Sequence, residues 1–372
     1  MMKKLTAIVC AAALVALAAS CNKLAQSENV VKPLDESVEY ADVTFNVSVD
    51  GAQVVTKAAT GAGNLDGNLY EYQVNKTSFF VFNEDGTKLE AYKAVFDESA
   101  TMSLKLDVKY RVYALVNYNS NVELFTIKNE TALKALAMEL IAESRDPGTG
   151  FQMLSDATEK TFKSDDLTCS LNVTRIASRV RLVKVVNHMP AAAGNITING
   201  VFLSNVVGNY ALTPLSTFTW LNKYGRSDNV QTNIVTSDTA GAPSMTYQTV
   251  TGEGATIGWF DEFILPNPAN LYCYANASTT VPAGWSSADF TGQQTMMVIV
   301  TTIGGKTYYY PINLNKRIVG NKLERNKTYD VSVVINNYGS EDEPNEEISL
   351  STMTFNVIVG DWSDGGTVET EI

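Results

Sequence analysis

Few side chains in this sequence could carry out catalysis. His188 is the only histidine among the 372 residues, so multi-histidine metal sites are excluded and no nucleophile motif accompanies this one candidate base. Gly304–Thr307 partly matches a phosphate-binding loop, but Val300 stands where that motif needs glycine, and no helix pattern follows. Asn83–Gly86 lacks the ligand spacing of a calcium loop and is typical of a turn. We therefore predict no catalytic residue, no cofactor and no metal.

One cysteine has a setting that predicts covalent chemistry. Lys3 and Lys4 precede an apolar stretch over residues 5–17, and three small residues at 18–20 come directly before Cys21. The sixteen residues between Lys4 and Cys21 are too few for a comfortable membrane span, so the pattern predicts a signal peptide. A cysteine at the cleavage point is typical of a bacterial lipoprotein, and secretion without lipid is the alternative. Acylation of Cys21 with several chains would hold the protein on a membrane.

Composition is that of an exported acidic protein. Charged residues make up 18% of the chain, and 40 acidic against 28 basic residues give a formal net charge of −12. This acidity disfavours binding to nucleic acid and electrostatic attraction to anionic lipid. Beyond the signal peptide and Cys21, only Cys169 and Cys273 remain. They could form a disulfide in an oxidising compartment, or they could be small buried hydrophobic residues.

Alternation of apolar and polar residues predicts strands along most of the chain. Residues 78–82, the turn at 83–86 and the return through Leu89 predict a β-hairpin. Apolar residues from Leu104 to Tyr110 alternate in a single run. Further strands are predicted at 175–186, 196–204, 262–265, 294–301, 306–314 and 328–336.

One helix interrupts this all-β pattern. It is predicted from Thr131 to about Ser144, because the leucines at 133, 136 and 140 share one helical face. The Asp-Pro-Gly sequence at 146–148 then ends it. A change of composition near Asp166 predicts a boundary between two β-sandwich domains. The predicted fold class is therefore all-β, with two β-sandwich domains and one short helix in the N-terminal domain.

The two ends of the chain carry nearly the same strand. Residues 43–49 and 353–359 agree at five of seven paired positions. Each places four apolar residues on one face. These are Val43, Phe45, Val47 and Val49 in the first strand and Met353, Phe355, Val357 and Val359 in the second. Either strand could fill the same groove, so one subunit's C-terminal strand could replace another subunit's first strand. The alternative is chance agreement between two half-buried strands, because threonine, phenylalanine and valine are common in strands.

Several longer segments resemble the fimbrillin family, the major fimbrial subunits (type V pilins) of Bacteroidetes. The most specific is Asn321–Val331, which together with Gly305–Pro311 looks like the C-terminal domain of that family. Phe355–Trp362 is similar to the last strand of the family and its terminal tryptophan. Arg175–Val180 resembles the segment that opens the second domain. The resemblance extends over essentially the whole chain, including the lipoprotein signal.

The resemblance implies two transthyretin-like β-sandwich domains and no catalytic activity. It implies export as a lipoprotein and a cut after a basic residue by a trypsin-like protease. Lys57 lies in a loop rich in small residues and glycine after the first strand, so the expected cut separates Lys57 from Ala58. The familiar site carries arginine, so lysine here leaves the identity of the protease open. The expected parts are a signal with acylated cysteine (1–21), a propeptide with the first strand (22–57), an N-terminal domain (58–166), a C-terminal domain (167–340), and an acidic linker with a donor arm (341–372).

The expected function is that of a fimbrial stalk subunit that polymerises by donor-strand exchange and supports adhesion. Its partners would be copies of itself, other fimbrial subunits and the processing protease, with a host or bacterial surface receptor left open. The precursor would be an outer-membrane lipoprotein, and the mature form would lie in a surface fimbria. Two alternatives remain: a fimbrial tip or anchor subunit, and a surface glycan-binding lipoprotein that stacks sugars on Trp220, Trp259 or Trp285.

Overall fold

The computed structural model describes residues 39–50, 69–119, 122–143, 145–146, 148–222, 245–250, 255–279, 293–341 and 352–362. The first part of the chain forms nine strands. They are β1 (Tyr40–Val49), β2 (Thr77–Asn83), β3 (Leu89–Val95), β4 (Ser99–Lys105), β5 (Lys109–Val116), β6 (Met138–Glu139), β7 (Met153–Ser155), β8 (Thr158–Thr161) and β9 (Thr168–Arg175). Eight of them form one sheet in the order β3-β2-β5-β7-β9-β1-β4, with β8 paired to β5.

This N-terminal sheet curls over an apolar core. β1 and β2 are well separated in the strand order, yet the rings of Phe45 on β1 and Phe79 on β2 lie 5.8 Å apart. Alternate residues of β4 and β9 point into the same core, as their strict alternation of buried and exposed positions shows. The curl therefore gives a sandwich in which β1 packs against the opposite layer.

Twelve strands follow in the C-terminal part. They are β10 (Ser178–Asn187), β11 (Ile196–Ser204), β12 (Val206–Val207), β13 (Asn209–Tyr210), β14 (Trp220–Leu221), β15 (Tyr247–Thr249), β16 (Thr256–Ile257), β17 (Glu262–Cys273), β18 (Met296–Ile303), β19 (Lys306–Asn313), β20 (Lys327–Ile335) and β21 (Met353–Asp361). One sheet has the order β17-β10-β20-β21, and a second has the order β15-β11-β18-β19 with β16 beside β11. Two short pairs, β12–β14 and β13–β6, complete the described sheets. The all-β fold class is thus confirmed.

The predicted helix is shorter than the leucine spacing indicated. The α-helix α1 spans only Glu130–Lys134, with the side chain of Asn129 capping its first turn. Leu133, Leu136 and Leu140 are all buried as expected. The chain nevertheless leaves the helix, because β6 pairs with β13 and the Leu140 N–H donates to the Gly208 carbonyl. Tertiary pairing overrides helical propensity here. Short 3₁₀ turns occur at Leu69–Glu71, Leu124–Thr126, Leu140–Ala142, Ala191–Ala193, Asn315–Arg317 and Val319–Asn321.

Two further boundaries differ from the sequence pattern. The apolar run from Leu104 to Tyr110 is not one strand, because the chain turns at Asp107 with a φ of 56° and continues in β5. The change from the first sheet to the later sheets comes between Arg175 and Ser178, not near Asp166. β9 belongs to the first sheet, where it pairs with β1 and β7. The composition shift precedes this change of sheet because β9, which lies after Asp166, still belongs to the first sheet.

Candidate assembly site

The first strand, β1, fills a groove between β4 and β9. It pairs antiparallel with β4 and parallel with β9, so it is an internal strand of the sheet. Val43 and Phe45 are fully buried, and Val47 and Val49 are nearly so. The Phe45 ring contacts Phe79 and Phe162, each at a centroid distance of 5.8 Å. Withdrawal of β1 would therefore expose two sheet edges and the apolar floor of the groove.

The last strand, β21, is hydrogen-bonded to its own sheet along one side only. It pairs antiparallel with β20 and lies at the edge. Met353 and Val357 are buried, whereas Phe355 and Val359 are only half-buried. The guanidinium of Arg317 lies over the Phe355 ring, 5.0 Å from its centroid. The two repeated strands thus share one alternation, but the groove around β1 buries that apolar face more completely.

A buried ionic and aromatic cluster lies at the junction where β9 ends and β10 begins. Glu71 and Arg179 are both fully buried and form an ion pair of 2.8 Å. The Tyr272 hydroxyl donates to Glu71 at 2.5 Å, and the Trp362 indole N–H donates to the same carboxylate at 3.3 Å. Trp362 is fully buried, stacks on Tyr272 and meets the edge of Phe151. The cluster therefore joins the start of β10 to the residue that follows β21.

Arg175 connects this cluster to the end of β1. Its Nη1 donates to the main-chain carbonyl of Asp50 at 3.2 Å and to the Asn326 side chain at 3.1 Å. The side-chain amide of Asn326 donates to the Asp50 carboxylate at 2.8 Å. The main-chain carbonyl of Asn326 accepts from the main-chain N–H of Trp362 at 3.3 Å. The guanidinium of Arg175 also lies 4.9 Å from the centroid of the Trp362 ring. Both repeated strands thus end at the same pair of residues, Arg175 and Asn326.

Burial is the main cause of the pKa shifts of Arg175 and Tyr272 in the junction. It lowers the pKa of the Arg175 guanidinium to about 10 and raises the pKa of the Tyr272 hydroxyl well above its ordinary value. Buried charges are costly unless they are paired and hydrogen-bonded, and here Glu71 neutralises Arg179 while ring faces cover Arg175. Loss of the indole would uncover these groups.

The sequence did not predict this cluster, although one signal was available. On β9 the inward positions are Cys169, Leu171, Val173 and Arg175, so the alternation alone places an arginine on the core face. A charge in that position needs a partner. The identity of the partners could not be predicted, because Glu71, Tyr272 and Trp362 are far apart in the chain.

A second buried carboxyl, that of Glu143, lies near the junction. It accepts hydrogen bonds from the Gln152 main-chain N–H at 2.8 Å and from the Tyr274 hydroxyl at 2.9 Å. Burial outweighs these bonds and raises the pKa of Glu143 to about 8. No cation pairs with this carboxyl among the described residues. Glu143 is therefore largely protonated in the folded chain near neutral pH.

Replacing Glu143 by Gln is expected to flatten the dependence of stability on pH between about 4.5 and 8. The ordinary pKa is 4.5 and the folded pKa is about 8, so the folded state keeps a proton that the unfolded state releases over this interval. The native chain should therefore lose stability as the pH rises, whereas glutamine, which does not titrate, keeps the shape of the side chain. Thermal unfolding at pH 5 and pH 8 measures this. Equal falls in Tm for both proteins would contradict the assignment.

Both remaining cysteines are buried free thiols. Cys273 lies in β17, and burial raises its pKa to about 12. Cys169 lies directly opposite Phe45 in the parallel register of β1 and β9. Burial raises the pKa of Cys169 to about 11. The reading of these residues as small buried hydrophobic groups is therefore confirmed, and the disulfide alternative is not.

The predicted lipidation residue Cys21 and the predicted cleavage residues Lys57 and Ala58 lie outside the described residues. His188, within them, stacks on Phe260 at a centroid distance of 4.5 Å. Within the described ranges no set of three or more histidine, cysteine or acidic side chains is placed to hold a metal ion. No helix in that same part of the chain has the length and apolar character needed to cross a membrane.

A family model matches the region that contains the groove. Residues 41–182 match the model described as major fimbrial subunit protein (FimA). This segment runs from β1 into β10, so it includes the groove strands β4 and β9 and the residues Arg175 and Arg179. The sequence has no match among curated proteins.

Solved structures share the fold over most of the chain. A fimbrilin (FimA) from Porphyromonas gingivalis W83 is 16% identical with a TM-score of 0.54, and the alignment covers 86% of this chain and 97% of that one. A protein from Bacteroides eggerthii titled "putative cell adhesion protein" is 18% identical with a TM-score of 0.54, over 86% of this chain and 96% of that one. One of the same title from Parabacteroides distasonis is 14% identical with a TM-score of 0.55, over 87% and 100%.

Identities this low show a common fold only. The family model adds a sequence relationship over residues 41–182. The chain therefore shares the fold of these proteins over most of its length, and residues 41–182 are similar in sequence to the major fimbrial subunit family (FimA).

Proposed function

We propose that this protein is the stalk subunit of a surface fimbria and polymerises by donor-strand exchange. The precursor is exported as an outer-membrane lipoprotein anchored through Cys21, and a trypsin-like protease cuts it after Lys57. The cut releases β1, and the C-terminal arm of another subunit fills the vacated groove. Copies of the chain and other fimbrial subunits are the partners, and the assembled fibre supports adhesion.

The observation that carries the proposal is the unequal burial of the two repeated strands. β1 is an internal strand whose apolar face is almost completely buried. β21 carries the same side-chain order but lies at a sheet edge, with Phe355 and Val359 only half-buried. An edge strand detaches by breaking one ladder of hydrogen bonds, whereas an internal strand breaks two. Transfer of β21 into an emptied groove therefore exchanges a looser site for a tighter one.

The order of the apolar side chains supports the same transfer. β1 runs parallel to β9 and antiparallel to β4. An arm that enters in the direction of β1 places Met353, Phe355, Val357 and Val359 at the positions of Val43, Phe45, Val47 and Val49. Thr354 and Asn356 then face the outside, as Thr44 and Asn46 do in the unprocessed chain. In that direction, the order of the four apolar side chains is preserved in a single register.

Sequencing the N-terminus of subunits extracted from purified fibres tests the processing step. The expected first residue is Ala58, because Lys57 follows the strand that must leave the groove. Lys57→Gln should leave an uncut precursor that accumulates as monomers, while the neighbouring change Thr56→Ser serves as the control and should be processed normally. Fibre subunits that begin at Cys21 would contradict the proposal.

One observation bears on the glycan-binding alternative. Trp259 and Phe260 are exposed by 52% and 67%, and their rings meet edge to face. The indole N–H of Trp259 donates to the Met189 carbonyl at 2.8 Å, which holds the ring in place. Such a patch could contribute to adhesion by the fibre. It does not explain why two strands with one side-chain order occur at opposite ends of the chain.

A further inference from the structure

The pocket that holds Trp362 lies beside the end of the groove around β1, because Arg175 contacts both. We name it the tryptophan pocket, and it consists of Glu71, Phe151, Arg175, Arg179 and Tyr272. In the described chain this pocket is filled from β21, the strand that the proposed function requires to leave. The same pocket borders the end of β1, through the bond from Arg175 to the Asp50 carbonyl. Departure of the arm therefore opens a cavity beside the groove that a foreign arm is about to enter.

The position of Trp362 in the accepting subunit depends on the direction and register of the incoming strand. In the register that places Phe355 at the position of Phe45, Gly360 takes the position of Asp50. Trp362 follows two residues later, and two extended residues span about 7 Å. Arg175 already bridges this interval, since it bonds to Asp50 at 3.2 Å and its guanidinium lies 4.9 Å from the centroid of the Trp362 ring. An arm in the groove thus ends within reach of the tryptophan pocket of the subunit that accepts it.

An empty pocket would be unfavourable. The indole fills space against Phe151 and Tyr272 and supplies a donor to Glu71. Without it, a cavity of indole size remains, and large-to-small changes of this kind are among the most destabilising in protein cores. The Nη2 of Arg175, which has no hydrogen-bond acceptor in the described structure, would also lose its aromatic cover. Exchange of identical elements between subunits avoids this loss, because each contact that is broken is made again.

We infer that, in the assembled fibre, the tryptophan pocket of each subunit is filled by Trp362 of the neighbouring subunit whose arm occupies its groove. This inference rests on the proposed donor-strand exchange and adds a second point of recognition to it. Trp362 first anchors the arm to its own subunit and then anchors the same arm to the acceptor. The pocket thereby selects arms of one length, because the distance from Phe355 to Trp362 must match the distance from the groove to the pocket.

A cross-linking test on full-length chains, which are processed to start assembly, examines the exchange directly. The Phe151 and Trp362 rings are in contact at a centroid distance of 5.8 Å, so a short bifunctional thiol reagent should cross-link the variant that carries both Phe151→Cys and Trp362→Cys within one chain of the unprocessed monomer. When the variant is processed and treated with the same reagent as fibres, it should instead give a ladder of covalent multimers on a denaturing gel. Phe151→Cys paired with Trp362→Ser is the control and should give monomers. Fibres of the double variant that dissolve into monomers would overturn the inference.

A second measurement keeps Phe151 and the pocket intact. With Trp220, Trp259 and Trp285 changed to Phe, Trp362 becomes the only fluorescent indole. In the monomer this indole is buried and should emit at short wavelength, and its emission should stay there in the fibre. A shift on assembly to the longer wavelength of a solvent-exposed indole would overturn the inference. Failure of the proposed function looks different. If donor-strand exchange itself fails, a cysteine introduced by Phe355→Cys should not form a disulfide with Cys169 of a neighbouring subunit in fibres, because Cys169 lies opposite the Phe45 position of the groove. Failure of this inference alone leaves that disulfide intact.

Discussion

A chain from which residues 22–57 have been removed is expected to form oligomers or to lose much of its stability. The deletion removes β1, so the edges of β4 and β9 and the apolar floor around Phe79 and Phe162 become exposed. Burying four apolar side chains contributes roughly 1.5–3 kcal/mol each, which together is comparable to the whole stability of a typical domain, about 5–15 kcal/mol. Size-exclusion chromatography with light scattering measures the assembly state, and urea unfolding measures the stability.

Removal of residues 22–38 alone provides the matched control for this deletion. It shortens the chain before β1 and leaves the strand in its groove, so the product should remain monomeric and as stable as the complete chain. A chain without residues 22–57 that is also monomeric and equally stable would mean that β1 does not fill an essential groove.

The second large effect is expected from the double substitution Phe355→Asp/Val357→Asp. In the donor register both side chains enter the buried face of the groove, where Phe45 is fully buried and Val47 nearly so. A buried unpaired carboxylate is costly, so docking of the arm should weaken by at least about 100-fold, equivalent to about 3 kcal/mol, and fibres should be absent. Electron microscopy of processed protein provides the measurement. Normal fibres from the Phe355→Asp/Val357→Asp chain would show that another segment joins the subunits.

Differences in burial allow the effect on assembly to be separated from an effect on the monomer. Val357 is buried in its own sheet as well, so its replacement should also loosen β21 before assembly. Phe355 is half-buried there, and Phe355→Asp alone should therefore block assembly while changing monomer stability less. Thr354→Asp is the matched control, since Thr354 is exposed and its counterpart Thr44 faces away from the core.

Strand alternation made much of this architecture predictable. The hairpin of β2 and β3, the buried set on β1, the first part of β17 and the strands β10, β11, β18, β19 and β20 follow from period-two patterns, whereas the short strands β12 to β16 do not. The same signal misled where tertiary contacts decided the outcome. The leucines that suggested a long helix are all buried, but only Leu133 lies in α1, because the chain leaves the helix before β6 pairs with β13.

The junction cluster lay beyond sequence reasoning for a different physical reason. Its members come from five separated segments, and no local pattern connects Glu71 to Trp362. The sequence did show an arginine on an inward position of β9 and a tryptophan directly after the last strand. Those two facts indicate a buried charge and a buried ring, but only the fold shows that they meet.

A native cysteine permits the most direct test of donor-strand exchange. Cys169 lies opposite Phe45 in the register of β1 and β9, so in a fibre it should lie opposite Phe355 of the neighbouring subunit. Adjacent strands are about 4.8 Å apart, within the Cα separation that a disulfide spans. Because burial raises the pKa of Cys169 to about 11, the oxidant must be present while the groove is still open.

The measurement is a non-reducing gel of fibres assembled from Phe355→Cys subunits, with the linked peptides identified by mass spectrometry. Phe45→Cys in the unprocessed chain should form an intramolecular bond to Cys169 and so verifies the geometry, while Thr354→Cys fibres should give no bond to Cys169. Donor-strand exchange predicts a ladder of multimers joined between position 355 and Cys169 of successive subunits. Phe355→Cys fibres that separate into monomers under the same conditions would contradict it.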